Sequence, residues 1–326
     1  MKMRYIDFQV GCDPLQLGIA ETDVPPISAK EVLVRVEAFG VNRADTLQRQ
    51  GKYPAPPGDS EILGLEVAGI VQQLGEEVRG WELGDRVCGL VGGGGYAEYA
   101  VVEAEQLMAI PKALDTRQAA GIPEVFLTAY QSLFLIGRLQ KNERVLIHAG
   151  ASGVGLAAIQ LARQMDCDIA VTASSKTKLT RCEEAGANIL INYKEDDFAA
   201  VLKAQKWQAD VIVDFIGGDY LNRNLAVAAL DSRIVYLAML GGRYADKLDM
   251  SKLLAKRVSI SGTTLRNRDA KYKRDLVKRF VSDFHHLFES ASMVPNIDTI
   301  LSAEHVGVAH QRLETNQTSG KLVCCW

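Results

Sequence analysis

Hydrophobic and polar positions change their spacing along the chain, and the first spacing is that of short strands. Between residue 31 and about residue 102, brief runs rich in valine, isoleucine and leucine are separated by glycine, as in VLVRV (32–36), VAGIV (67–71) and RVCGLV (86–91). Glycines at 64, 69, 75, 80, 84 and 89 fall where strands would bend or bulge. This pattern predicts a curved antiparallel sheet or a partly open barrel.

After Pro111 the spacing becomes that of alternating helices and strands. Asp115 is predicted to cap an apolar helix that reaches Gly137. Strand segments follow with room for helices between most of them, at residues 145–149, 169–173, 189–192, 211–215, 234–238 and 258–261. Such alternation predicts an α/β fold with a doubly wound parallel sheet of the Rossmann type and right-handed crossovers.

The last part of the chain is predicted to return to the first domain. Residues 269–288 are charged and helical, and KLVC (321–324) has the pattern of a strand. The predicted domains are therefore a β-rich catalytic domain at 1–123, a nucleotide-binding domain at 124–265, and a return to the catalytic domain at 266–326.

Composition favours small-molecule chemistry in a reducing compartment. The 326 residues carry a net charge of -3 with both signs mixed, so no field would attract nucleic acid or an anionic membrane. The N-terminus turns polar too early for a signal peptide, and no apolar stretch is expected to span a bilayer. Six scattered cysteines form no C-x-x-C pair. We expect a cytoplasmic protein.

A glycine-rich turn is the strongest single motif. The segment VLIHAGASGVGLAAIQL (145–161) runs from an apolar strand through Gly150, Ser152, Gly153 and Val154 into a helix with an apolar stripe. Glycines let the backbone approach a pyrophosphate, and the free amides at the start of a helix attract its charge. The turn therefore predicts a dinucleotide site at the carboxyl end of the sheet.

The residues that follow the second strand favour NADPH over NADH. Sites for NAD place a carboxylate at the carboxyl end of that strand, about twenty residues after the turn. Asp168 fits the count, but it precedes the strand and so lies at the wrong end. At the correct end stands TASSKTK (172–178), which offers hydroxyl and ammonium groups to a 2′-phosphate. Ser175 and Lys178 are the predicted contacts, and Lys176 is the alternative lysine.

Several segments together resemble one family. They are NRAD (42–45), QRQGKY (48–53), ILGLEVAG (62–69), AAGIPE (119–124), LIHAGASGVG (146–155), DFIGG (214–218) and RNRDAKYK (266–273). The chain thereby resembles the zeta-crystallin-like quinone oxidoreductase branch of the medium-chain dehydrogenase/reductase superfamily. This resemblance implies a GroES-like catalytic domain and an active site in the cleft between domains. It also implies a homodimer or dimer of dimers joined through the last strand of the nucleotide domain.

The resemblance also implies residues that line NADPH. Besides the turn and the second-strand contacts, these are Tyr53, Tyr193 and Ile216, and we expect Lys321 to contact the cofactor as well. One departure is Thr177, which stands where the family tends to place its 2′-phosphate lysine.

Zinc is not expected. Zinc-dependent relatives take ligands from a cysteine and a histidine whose positions resemble Asn42 and Leu65, and neither side chain can bind Zn²⁺ as a thiolate or an imidazole. Without a Lewis acid the substrate must itself accept a hydride readily, as quinones and activated enones do.

The predicted catalytic residues are Asn42, Asp45 and Tyr53. The Asn42 amide and the Tyr53 hydroxyl can donate to a quinone oxygen as negative charge develops, and Asp45 can orient a water or an amide. The alternative for Asn42 and Asp45 is helix capping. No residue stands out as a general acid, so water can supply the proton. His148 is interpreted as a buried structural histidine.

Two other functions compete with an NADPH-dependent quinone oxidoreductase. The first is an NADPH-dependent enone or alkenal reductase that acts on a C=C bond. The second is a non-catalytic protein that binds NADPH or RNA. The basic run at 271–274 bears on the RNA alternative, but its helical spacing predicts a solvated face.

Overall fold

The computed structural model describes residues 1–326 and divides into two compact units. The first unit comprises Met1–Leu127 and Leu265–Trp326, and the second comprises Thr128–Thr264. The sequence places these boundaries after residues 123 and 265.

The strands in chain order are β1 Lys2–Asp7, β2 Gly18–Asp23, β3 Glu31–Val41, β4 Glu66–Leu74, β5 Arg86–Leu90, β6 Tyr99–Glu103, β7 Leu107–Ala109, β8 Arg144–Ile147, β9 Asp168–Ala173, β10 Ile189–Asn192, β11 Ala209–Asp214, β12 Ala228–Tyr236, β13 Ser259–Gly262, β14 Ile297–Ser302 and β15 Lys321–Cys325. The α-helices are α1 Arg43–Arg49, α2 Thr116–Ala119, α3 Pro123–Tyr130, α4 Gly153–Arg163, α5 Lys176–Ala185, α6 Phe198–Ala204, α7 Tyr220–Val227, α8 Met250–Lys256, α9 Ala270–Phe280, α10 His286–Glu289 and α11 Val306–Glu314.

The first unit is built on a curved, mostly antiparallel sheet. Its order is β14-β15-β3-β4-β5-β7, with β6 also paired to β3, and β1 and β2 form a separate hairpin. Gly69 lies in β4 beside a shift of register, where a Cβ would stand 2.0 Å from the carbonyl oxygen of Arg35. That close approach requires glycine and explains one of the predicted bulges. As predicted, β15 returns to this sheet and pairs with β3.

The second unit contains a six-stranded, fully parallel sheet. Its order is β10-β9-β8-β11-β12-β13, and each predicted strand overlaps one of these. Numbered from β8, this is the 3-2-1-4-5-6 arrangement of a Rossmann fold. Successive strands are added on one side of β8 up to β10 and then on its other side from β11 onward. The crevice for a ligand is therefore expected at this switch point, at the carboxyl ends of β8 and β11.

The helix predicted from Asp115 to Gly137 exists but is interrupted. Asp115 caps it, since its carboxylate accepts from the amide of Gln118 at 2.8 Å. The helix breaks at 120–122, where a Cβ on Gly121 would lie 2.6 Å from Ile297 Cδ1. By length and composition alone, Thr116–Ile136 is long and apolar enough to cross a membrane, contrary to the sequence-based expectation. However, 78% of its most apolar stretch is buried inside the protein, as in a core helix.

Candidate functional site

The glycine-rich turn joins β8 to α4 and leaves free amides at the start of the helix. Ser152 is the N-cap, and its Oγ accepts from the amide of Gly155 at 3.1 Å. The amides of Gly153 and Val154 come earlier in the first turn and have no acceptor within the helix. A Cβ on Gly155 would stand 2.5 Å from the carbonyl oxygen of Gly150, so no larger residue fits this turn. The turn therefore has the geometry that a pyrophosphate needs.

Residues at the ends of the neighbouring strands surround this turn within the second unit. Ser175 follows β9 and caps α5, accepting from the amide of Lys178 at 3.3 Å. Tyr193 follows β10, and its amide donates to the carbonyl of Ala173 at 3.1 Å. Ile216 follows β11. All four strands that carry predicted cofactor contacts are parallel, so these contacts lie together at the carboxyl ends of the strands.

The two candidate lysines differ in exposure. Lys178 is half-buried in the first turn of α5, whereas Lys176 is exposed. Asp168 begins β9, and its carboxylate accepts from Trp207 Nε1 at 2.7 Å, at the opposite edge of the sheet. No carboxylate occurs in residues 172–178, where a 2′-phosphate would bind. These residues therefore fit NADPH.

A buried network, which the sequence did not reveal, fixes the strand ends. His148 contacts Thr172 Oγ1 at 3.0 Å and Asn224 Oδ1 at 2.8 Å. Asn224 Nδ2 donates to Asp214 Oδ2 at 2.6 Å, and Asp214 Oδ1 accepts from the Ile216 amide at 2.5 Å. Burial lowers the pKa of His148, which keeps it neutral. The interpretation of His148 as structural is confirmed, and the network positions the loop that carries Ile216.

In the first unit, Asn42 belongs to a buried polar cluster with Glu66 and Lys321. Lys321 Nζ contacts both Glu66 Oε1 and Asn42 Oδ1, and Asn42 Nδ2 donates to Glu66 Oε1 at 2.9 Å. Glu66 Oε2 accepts from the amide of Glu124 at 2.8 Å. Asn42 keeps one Nδ2 hydrogen, and the Lys321 side chain, which is 3% exposed, has two partners for its ammonium group. The contact of Lys321 with a cofactor stays a prediction, and in this structure its ammonium is held by Glu66 and Asn42.

Asp45 lies in a second buried network, next to the first. Its Oδ2 accepts from the backbone amide of Asn42 at 2.7 Å and from the hydroxyl of Tyr96 at 3.0 Å. Its Oδ1 accepts from the backbone amide of Gly64 at 3.3 Å. The Tyr96 hydroxyl also contacts His310 Nε2 at 3.0 Å. Burial raises the pKa of Asp45 to about 6. Since Asp45 is 0% exposed, its place is that of a positioning residue that holds the backbone of Asn42.

Tyr53 stands near a buried arginine. The guanidinium carbon of Arg266 lies 5.6 Å from the centre of the Tyr53 ring. Burial raises the pKa of the Tyr53 hydroxyl, which keeps it protonated and able to donate. The sequence proposed Tyr53 but gave no role to Arg266, which is distant along the chain.

No group of three or more His, Cys, Asp or Glu side chains converges as a metal ion would require, and all six cysteines are free thiols. Zinc independence stays a prediction.

Comparison with known proteins places this geometry in a family. Residues 28–112 match the alcohol dehydrogenase GroES-like domain, and residues 153–282 match a family described as zinc-binding dehydrogenase. A quinone oxidoreductase of Rattus norvegicus is 29% identical over 92% of this chain and 89% of its own length. The Escherichia coli quinone oxidoreductase, solved with NADPH, superposes with a TM-score of 0.86 at 25% identity, covering 99% of this chain and 100% of that one.

The chain belongs to the quinone oxidoreductase branch of the medium-chain dehydrogenase/reductase superfamily. It is therefore an oxidoreductase of this superfamily, which binds nicotinamide cofactors. One relative has a name that does not describe an enzyme. The synaptic vesicle membrane protein VAT-1 homolog of Danio rerio is 28% identical over 96% of this chain and 67% of its own length. Membership of the medium-chain superfamily accounts for the parallel sheet and for the split catalytic unit.

Proposed function

We propose that the protein is an NADPH:quinone oxidoreductase that works without zinc. The proposal is carried by the free amides of Gly153 and Val154, together with the hydroxyl and ammonium groups after β9. Bound NADPH supplies a hydride to an electrophilic acceptor. The relatives named quinone oxidoreductase support a quinone as that acceptor.

In this proposal the residues of the chain bind and orient the cofactor and the acceptor. Ser152 and the first-turn amides hold the pyrophosphate, and Ser175 with Lys178 holds the 2′-phosphate. In the first unit, Tyr53 donates its hydroxyl hydrogen to an oxygen of the acceptor, and Asn42 offers its remaining Nδ2 hydrogen. Asp45 keeps the backbone of Asn42 in place.

The functional test is a panel of steady-state rates. We expect turnover of NADPH with ortho- and para-quinones to exceed turnover with alkenals. Faster rates with alkenals than with every quinone would favour a C=C reductase. Binding of NADPH without oxidation by any acceptor would favour a non-catalytic role.

The cofactor test compares two lysines. We expect Lys178→Ala to weaken NADPH binding by about tenfold or more, because it removes a charge beside the 2′-phosphate. NADH lacks that phosphate, so its binding should change little. Lys176→Ala serves as the matched comparison, and titration of NADPH fluorescence measures each affinity. Equal losses for the two cofactors would contradict the assignment of Lys178.

We further propose that the protein is a cytoplasmic homodimer whose partners are small electrophiles, not nucleic acid or membranes. Strand β13 pairs only with β12 and leaves an open sheet edge. Ile260 on that strand is 40% exposed. Pairing of this edge with a second copy would cover it, as the family resemblance implies.

A further inference from the structure

Three ionisable side chains of the first unit meet at one narrow gap. Glu124 lies in the first turn of α3, Arg266 follows the return of the chain to this unit, and Lys273 lies on α9. The remaining walls of the gap are apolar and come from Leu65, Leu90, Val91 and Leu265. Charged groups between apolar walls interact strongly with one another and with any ligand, because little water screens them.

Arg266 presents unused hydrogen-bond donors. The residue is 5% exposed, and only its Nε is engaged, donating to the carbonyl of Gly92 at 2.8 Å. Both Nη atoms are buried and have no partner in the chain. Buried polar groups are almost always paired, so a buried guanidinium with two unpaired Nη atoms has donors available for a ligand or a water that supplies oxygen atoms.

Glu124 and Lys273 are also unpaired. The carboxylate of Glu124 makes no hydrogen bond or ion pair within the chain, although its amide is held by Glu66. Burial, with a further contribution from the Glu66 carboxylate, raises the pKa of Glu124 to about 8. Burial lowers the pKa of Lys273 and of Arg266. The sequence predicted Lys273 to lie on a solvated helix face, and the structure corrects this because the side chain turns into the gap.

Several charged groups face Glu124 from other elements. Negative groups raise its pKa and positive groups lower it. The carboxylates are Glu66 on β4 and Asp45 on α1, and the cations are Lys321 on β15 and Lys273 on α9. Arg266 lines the same gap. The net effect of burial and of these charges leaves Glu124 protonated near neutral pH, although the cations Arg266 and Lys273 line the same gap.

We propose that the gap formed by Glu124, Arg266 and Lys273 binds the acceptor oxygen that becomes negatively charged, and that Glu124 protonates it. This inference rests on the proposed quinone reductase function. Hydride addition places two electrons on the quinone and converts it to a hydroquinone monoanion. The guanidinium and the ammonium stabilise the new phenolate, the Glu124 carboxyl transfers its proton to the phenolate oxygen, and solvent then returns a proton to Glu124.

In this structure the gap is too narrow to hold a water molecule, so an acceptor oxygen enters it only when a lining side chain such as Lys273 moves aside, and the ring itself stays outside. Tyr53, whose ring lies 5.6 Å from the Arg266 guanidinium, stands beside this place. Glu124 is thus the general acid that the sequence analysis did not find.

The experiment compares Glu124→Gln, Arg266→Met, Arg266→Lys and Lys273→Met with the control Lys271→Met, an exposed position on the same helix as Lys273. Affinity for NADPH should stay within twofold in all of them. Turnover with 1,4-benzoquinone should fall about 100-fold or more in Glu124→Gln and Arg266→Met, since each removes one group that acts in general acid–base or electrostatic catalysis. Arg266→Lys should retain an intermediate rate, and Lys271→Met should match the wild type.

The pH profile separates a proton donor from a structural residue. The wild-type turnover number should decline above about pH 8, where Glu124 loses its proton, and Glu124→Gln should lack this decline. Stability gives a readout without turnover. The native state holds the Glu124 proton more tightly than the unfolded chain, so wild-type stability falls as pH rises from about 4.5 to about 8. The free energy of unfolding of Glu124→Gln minus that of the wild type should therefore increase over this range.

A phenolate probe tests the anion site directly. We expect 4-nitrophenolate to bind the complex with NADP⁺, with its absorbance band as the signal, and Arg266→Met to weaken it about tenfold or more. Full turnover by both Arg266→Met and Glu124→Gln, or a stability difference that does not change with pH, would overturn this assignment and leave the proposed function standing. A wild-type protein that reduces no quinone would overturn the proposed function, and the assignment would fall with it.

Discussion

Removal of Lys321 from its buried ion pair is the sharpest test of how the first unit is held together. The side chains of Lys321 and Glu66 are 3% and 0% exposed. Lys321→Met would leave the Glu66 carboxylate buried with only the Asn42 amide and one backbone amide as partners. Breaking a buried pair in this way typically costs about 3–5 kcal/mol of unfolding free energy. For a unit of this size that corresponds to a fall in Tm of about 6–20 °C.

The tryptophans allow the first unit to be followed alone. Of the three, Trp81 and Trp326 belong to the first unit and Trp207 to the second. In a Trp207→Phe background, urea titration monitored by fluorescence therefore reports only the unit that contains Lys321. This avoids treating a two-unit protein as a single two-state transition.

The control is an exposed ion pair. Lys30 and Glu77 are 3.8 Å apart, with side chains 72% and 56% exposed, so Lys30→Met should cost no more than about 1 kcal/mol. The double variant Glu66→Gln with Lys321→Met should recover part of the loss, because no buried charge then lacks a partner. A Lys321→Met variant as stable as Lys30→Met would refute the reasoning.

Three further predictions concern other parts of the molecule. Gly155→Ala should weaken the binding of NADPH and of NADH by similar factors of about 100 or more, because its Cβ would stand 2.5 Å from a carbonyl oxygen in the turn. Fluorescence titrations measure both affinities, and unchanged values would disprove the assigned turn. The contribution of Asp45 to wild-type stability should fall by about 3 kcal/mol as pH rises from about 4 to about 6, because native Asp45 holds its proton up to about pH 6. Urea titrations should therefore show a smaller fall in Asp45→Asn than in the wild type, and an identical fall would argue against this. Ile260→Lys should shift sedimentation toward monomer, whereas Ile300→Lys, at a position 42% exposed on β14, should not, and an equal effect of both would count against the β13 interface.

Local sequence patterns were sufficient to predict the architecture of the second unit. Residues 189–192 coincide with β10, and the glycine-rich turn lies at the switch point between β8 and β11, because strand periodicity and turn chemistry are local properties. The break between α2 and α3 was missed although Gly121 and Pro123 are local signals for it, whereas the close approach of Gly121 to Ile297 depends on the fold.

The polar clusters of the first unit could not be predicted for the same reason. Tyr96 and His310 are 214 positions apart, and Asn42 and Lys321 are 279 apart. Spacing along the chain carries no sign of such pairs. Arg266 and Lys273 stood in a resembling segment, but the sequence analysis assigned no role to Arg266 and predicted a solvated face for Lys273, and only burial distinguishes them from surface cations.

The pairing of β15 with β3 sets an order for folding during synthesis. Strand β3 occupies the middle of its sheet, yet one of its neighbours leaves the ribosome about 280 residues later. The whole of the second unit is translated in that interval and can fold first. Until β15 arrives, residues 38–41 of β3 lack a partner strand on one side and Glu66 lacks its ammonium partner, so nascent chains that stall before Lys321 should be clients for chaperones and proteases.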